Sequence, residues 1–252
     1  MKQLIYILAF FGSTLTFAQN NQLFDEANAL YNDANYTEAL EKYKTIFDSG
    51  EHSAELYFNM ANAHYKLNHI APSIYYYEKA LLLKPHDKDI QNNIAFARNM
   101  TVDAIDSVPE VGISKLIKNV TNMMSFDAWA KTSVVLIALF VVFFIVYYFT
   151  YSTSKKRLAF VTSNASLLLA IAALIFAFHK FKLVNNDQPA IVFAQETKIK
   201  SEPNLRSSEA FVLHEGTKVQ VLDTVSNWKK IKLSDGKTGW IANDDIKMLK
   251  TF

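Results

Sequence analysis

The sixteen residues from Val134 to Phe149 carry no charge, no proline and no glycine. A water-soluble domain of this size has no use for such a run. Summed at roughly −0.3 to −0.6 kcal/mol per aliphatic or Phe residue, its insertion into a bilayer is favourable by on the order of 5 kcal/mol. A second apolar run, Leu158 to Phe178, follows after a short stretch holding Lys155, Lys156 and Arg157. The pair predicts a transmembrane hairpin, with spans over 132–151 and 158–178 and a basic loop over 152–157. Any function must fit a chain whose two soluble parts are tied to one membrane.

The first eighteen residues predict the side of that membrane. Lys2 precedes an apolar core from Leu4 to Phe11, and small residues lead to Ala18 before the polar Gln19-Asn20-Asn21. This is the layout of an export signal over 1–18. Export places residues 20–130 outside the cytoplasm, and two crossings return the C-terminal part to the same side. Basic residues in a tiny inner loop agree with that orientation, although Lys115, Lys118, Lys131, Lys180 and Lys182 flank the outer ends.

Residues 20–108 hold seven Lys and Arg against thirteen Asp and Glu, a net of −6. Residues 189–252 hold ten against eight, a net of +2. Neither has the clustered basic face of a nucleic-acid binder. The chain lacks cysteine, which removes disulfides, thiol catalysis and a lipoprotein anchor. Its six histidines lack metal-ligand spacing, and no phosphate loop or nucleophile elbow is present. The expectation is a non-enzyme without a metal or cofactor.

Segments starting at Asn20, Ala54 and Lys88 superimpose at a period of 34. The second carries Tyr57, Met60, Ala61, Tyr77, Ala80 and Pro85 at the signature places, and the first carries Leu23, Ala27, Ala39, Tyr43 and Ile46. The third supplies one helix, with Ile94 and Ala95 expected in its core. This pattern resembles the tetratricopeptide family over about residues 19–100. The resemblance implies an α-helical solenoid whose first helices line a concave groove. Phe24, Asn28, Tyr31 and Asn32, then Phe58, Asn62, Tyr65 and Lys66, then Asn92 and Phe96 fall on that face. Rings interleaved with amides suit an extended peptide, the alternative being that Phe58 and Phe96 only close the superhelix. Asn28, Asn59, Asn62 and Asn93 resemble the carboxylate-clamp variant. Phe24 and Phe58 stand where that clamp has Lys, which argues against capture of a free C-terminus. His64 takes a core position usually held by Tyr and reads as a packed imidazole.

Residues 101–130 read as a polar linker followed by an amphipathic helix, with Ile113, Leu116, Ile117, Val120 and Met124 on one stripe. Such a helix lies along the headgroups or completes the repeat core. In the second span Ser163, Ser166, Ala170, Ala173 and Ala177 share a face, suited to close packing on another helix. No acid or base interrupts either span, so an ion path is not expected.

From Pro189 the periodicity becomes two, with half-buried strands at 218–223, 228–233 and 238–242 and turns at His214-Glu215-Gly216-Thr217 and Ser234-Asp235-Gly236-Lys237. The order resembles a bacterial SH3 domain over 189–252, which implies an all-β barrel binding peptides or cell-wall fragments, or acting as a spacer. Trp228 and Trp240 are expected to pack within it. Taken whole, the chain resembles the BatE aerotolerance family of the Bacteroides group. That resemblance implies an inner-membrane scaffold with periplasmic repeat and SH3 modules, working beside von Willebrand A-domain membrane proteins and a MoxR-type ATPase. An envelope sensor that binds peptidoglycan or a peptide through the barrel is the alternative.

Overall fold

A computed structural model describes residues 20–105 and 112–250 of the chain. The expected export signal lies outside the described residues, as does the middle of the expected linker. The chain divides into two units, one from residues up to 107 together with 188–252, the other from 108–187.

The first unit begins with five helices. Residues 20–32 form α1, followed by α2 (Tyr36–Asp48), α3 (Ala54–Lys66), α4 (Ile70–Leu83) and α5 (Lys88–Arg98). Ala27, Ala39, Ala61 and Ala80 are fully buried, so paired helices approach closely while Tyr43, Tyr57 and Tyr77 fill the space beside them. The Ser53 hydroxyl accepts from the Leu56 N–H, and Asp87 accepts from the N–H groups of Asp89 and Ile90, capping α3 and α5. Ala34 and Asn68, 34 positions apart, both adopt left-handed backbone at φ 63° and 60° in the turns joining the helices of each pair. Lys79 is buried in α4, with its Nζ 5.1 Å from the Tyr57 ring centroid and 5.5 Å from that of Tyr75. Burial lowers its pKa, and the rings supply partial compensation.

In α5 the sequence expectation is half right. Ile94 is buried, but Ala95 is exposed and Ala97 takes the core place. Ala61 faces α4, whereas no second helix follows α5 to cover Ala95.

The same unit contains β1 (Pro189–Val192), β2 (Glu196–Lys200), β3 (Glu209–His214), β4 (Lys218–Val225), β5 (Trp228–Lys232), β6 (Thr238–Ala242) and β7 (Ile246–Met248). They form one antiparallel sheet in the order β3-β2-β6-β5-β4-β1-β7. Its apolar core contains Val192, Ile199, Leu213, Val219, Ile231 and Ile241. Gly236 turns β5 into β6 at φ 93°.

Helices and sheet share a seam. Ile191 and Leu249 belong to the same apolar cluster as Tyr77, Ile74 and Ile90. Glu78 is buried and accepts from Arg98 of α5 and Lys218 of β4, each at 2.7 Å. The acidic repeat thus meets the basic sheet through a named pair. Asp103 accepts from the His214 N–H at 2.7 Å and the Thr217 hydroxyl at 2.6 Å, with His214 Nδ1 also 2.7 Å away. Ile105 packs on the sheet core. The expected linker therefore begins as a strap pinned along the seam. Gly216 has a positive φ of 84°, and a Cβ there would lie 2.8 Å from Thr101 and 2.9 Å from Ile74. Only glycine fits both the turn and the contact.

The second unit comprises α6 (Ile113–Thr121), α7 (Phe126–Phe149) and α8 (Thr153–Asn186). Both α7 and α8 are long and apolar enough to cross a membrane. Ala159, Ser163, Ser166, Ala170, Ala173 and Ala177 form the buried face of α8, and the Ser133 hydroxyl of α7 donates to the Ala170 carbonyl at 2.9 Å. Trp129 meets Phe176, and Tyr147 meets Phe160. The outward faces, including Val134, Val142, Leu168 and Ile175, stay exposed. Helix α8 is longer than the expected span at both ends. Lys155, Lys156 and Arg157 form its first turns rather than a loop, because these residues are good helix formers with nothing to break the ladder.

Candidate interaction site

The first helices of the repeats, α1, α3 and α5, present successive side chains every 34 residues. A cleft of about 250 Å³ lies among them, lined by Tyr31, Asn62, Tyr65, Lys66, Tyr77, Asn93 and Phe96. Five residues expected from the sequence therefore come together: Tyr31, Asn62, Tyr65, Lys66 and Phe96. Phe96 is 61% exposed, an unusual state for a phenylalanine on a folded surface without a partner. Lys66 supplies an exposed cation at the rim.

Three expected residues serve the scaffold instead. Phe24 tilts against Tyr43 with centroids 5.8 Å apart, and Phe58 against Tyr77 at 6.0 Å. These rings close the stack of helices. Asn28 lies outside the cleft and joins repeats: its Oδ1 accepts from the Tyr43 hydroxyl at 2.6 Å and from Asn59 Nδ2 at 2.9 Å. Asn62 repeats that pattern one repeat later, accepting from the Tyr77 hydroxyl and from Asn93 Nδ2 at 3.2 Å. The recurrent asparagines are thus a ladder between neighbouring repeats. With its carbonyl committed, Asn62 can offer a ligand only N–H groups, so it suits a carbonyl or carboxylate. Asn32 and Asn92 are exposed but do not line the cleft.

Tyr77 and Asn93 complete the wall. The sequence placed Tyr77 in the core, where its ring is; burial pushes its hydroxyl pKa up, so it remains a neutral donor. The 31-residue step from Asn62 to Asn93, repeating that from Asn28 to Asn59, was the readable signal for Asn93.

His64 packs as a neutral imidazole. Its ring stacks on Tyr76 within 3° of parallel, and burial lowers its pKa to about 4, aided by His69 and Lys247. Its Nδ1 lies 3.2 Å from that of His69, so one ring donates to the other. A cleft of about 450 Å³ opens beside it, where Tyr75 and Tyr76 meet Phe193 and Lys247 of the sheet. Among the described residues no group of three His, Asp or Glu side chains is placed to hold a metal.

The sheet overturns the expectation for both tryptophans. Trp228 pairs with Ala242, and Lys230 with Trp240, while Ile231 and Ile241 point into the core. Alternation therefore puts Trp228 and Trp240 on the opposite face, half-buried, with Lys230 between them. Gly239 explains part of this. A Cβ there would lie 2.4 Å from Ile199, so β6 hugs β2 on its core side and keeps its large ring outward.

Comparison with protein families identifies both modules. Residues 54–87 match the tetratricopeptide repeat, and residues 196–247 match the bacterial SH3 domain. The chain carries a tetratricopeptide repeat and a bacterial SH3 domain. No curated protein matches the chain. Both modules are typically non-catalytic, and they point to binding of proteins or peptidoglycan, next to two helices able to span a membrane.

Proposed function

We propose that this protein is a membrane-anchored scaffold whose repeat groove holds an extended segment of a partner protein. The observation that carries the proposal is the cleft itself. Three rings from three successive helices, Tyr31, Tyr65 and Phe96, converge with Lys66 and the amide of Asn62. Rings cover side chains of an extended segment, amide N–H groups meet its carbonyls, and Lys66 favours an acidic residue beside them. The role within a BatE-like aerotolerance complex, beside von Willebrand A-domain proteins and a MoxR-type ATPase, follows from the order of modules.

The two-span arrangement has independent support. The repeats and the SH3 domain lie on either side of the hairpin in sequence, yet they share one apolar cluster. Two halves of one core cannot be separated by a bilayer, so the chain between them crosses an even number of times. The export signal then sets the periplasm as the side for both. A photocrosslinking residue at Phe96 in living cells tests the function. It captures an acidic, apolar segment of a von Willebrand A-domain membrane protein, while the same probe at Lys44 does not. Equal capture from both positions, or capture of neither, contradicts the proposal.

A second reading rests on the outward tryptophans. A face with Trp228, Trp240 and Lys230 suits stacking on a glycan, which favours a peptidoglycan-binding sensor through the SH3 domain. Sedimentation of the detergent-solubilised protein with purified cell wall, lost in Trp228→Ala with Trp240→Ala, tests it. Unchanged sedimentation removes that reading.

A further inference from the structure

Helix α6 buries almost none of its apolar stripe. Ile113 is 78% exposed and Leu116 66%, with Ile117, Met123 and Met124 also open. Water does not leave such a row uncovered on a nine-residue helix without a partner. Its position says what covers it. The Trp129 indole N–H of α7 donates to the Thr121 carbonyl at 3.2 Å, and Lys180 of α8 donates to Asn122 Oδ1 at 2.6 Å. These bonds fix the end of α6 at the level where both candidate spans begin or finish, beside a tryptophan of the kind that marks headgroup depth. The charge is also notable. Lys115, Lys118, Lys131, Lys180 and Lys182 gather at this end, with Asp127 and Asp187 as the acids. That excess opposes the usual rule if this end is exported, so a cause other than topology is needed.

We infer that α6 lies in the membrane surface as an anchor selective for anionic phospholipid, its apolar stripe in the acyl boundary and its lysines on headgroup phosphates. A zwitterionic surface satisfies the stripe but not the lysines, whereas an anionic one satisfies both. A basic residue near an anionic surface contributes about fivefold in binding, so Lys115 and Lys118 together supply roughly thirtyfold. The inference rests on α7 and α8 spanning the bilayer, and the test separates the two.

The full chain is placed in nanodiscs of phosphatidylcholine alone or mixed with phosphatidylglycerol, and amide hydrogen exchange is followed. Protection over 134–149 in both lipids, with protein eluting in the disc fraction, reads out the spans. Protection over 113–121 reads out α6. It is expected to be stronger with phosphatidylglycerol, to fall about thirtyfold in Lys115→Gln with Lys118→Gln, and to weaken in 0.5 M salt. Leu116→Ser with Ile117→Ser is expected to abolish it in either lipid. Equal protection of α6 in both lipids overturns the selectivity. Protection that survives the serine variant overturns membrane seating altogether, because protein packing then holds the helix.

Discussion

Replacing Asp103 with alanine tests whether the strap joins the repeats to the SH3 domain. The carboxylate accepts from the His214 N–H and the Thr217 hydroxyl and faces His214 Nδ1, all within 2.7 Å. Its removal strands a buried hydroxyl and a main-chain donor, each costing about 1–3 kcal/mol when left unpaired. Relaxation and water entry offset part of that, because the imidazole is partly exposed. A net loss of about 3 kcal/mol is expected, against about 1 kcal/mol for Asp103→Asn, whose Oδ1 keeps one or two of the bonds. In amide exchange on the full chain in mild detergent, 3 kcal/mol corresponds to opening about a hundredfold more often. The effect is expected at 70–77 and 209–221 together, since these segments share the seam. Asp244→Ala, exposed on the same domain, serves as the control. Acceleration below threefold, or confined to one module, would refute the claim that they form one unit.

Acid should loosen the same unit. Burial holds the His64 pKa at about 4, below its usual 6.5. The unfolded chain therefore takes up a proton that the folded chain refuses, and the stability from the neutral ring fades as pH falls from about 6.5 toward 4. The loss approaches 3 kcal/mol, and thermal melts of His64→Tyr should show a shallower acid slope. For Asp103, burial works to raise the pKa, but hydrogen bonds from Thr217 and His214 outweigh it and hold it below the ordinary carboxylate value. This adds a further loss at still lower pH. Ala34→Gly should stabilise by about 1 kcal/mol, because φ 63° strains a residue with a Cβ; a lowered melting temperature would contradict it. Gly216→Ala should cost at least 2 kcal/mol in the same assay, through positive φ and collision with Thr101 and Ile74. Ala170→Leu should separate α7 from α8, read as a lost crosslink between cysteines introduced at Ser133 and Ala173.

The sequence was most legible where one element decides its own form. The period of 34 rests on Ala27, Ala61, Tyr43 and Tyr77, which pack within adjacent helices, and the apolar runs depend on no distant partner. The small-residue face of α8 was likewise readable from helical spacing. The seam was not, because Glu78, Asp103 and Gly216 gain meaning only when residues more than a hundred positions apart meet. Asp103 looked like part of a polar linker, and Gly216 like an ordinary turn. Buried Lys79 gives no local sign of its ring cage. At the cleft, the alternation of rings and amides marked the right face but not which side chains the scaffold consumes. Phe58 went to the core because Tyr77 stands beneath it, and Asn28 to the ladder because Tyr43 and Asn59 reach it first. The tryptophans were misplaced by type: large rings are usually core, but the pairing of Ile231 with Gly239 reserved the inner face for smaller groups.

The most direct test uses the absence of native cysteine. Single cysteines at Asn62, Asp235 and Ser154 are probed in spheroplasts with a membrane-impermeant maleimide, before and after permeabilisation. Labelling at 62 and 235 on intact spheroplasts, with 154 reacting only after permeabilisation, is the expected pattern. Asn62 and Asp235 reacting from opposite sides would contradict the single unit built across the hairpin, and both protected until permeabilisation would contradict its export.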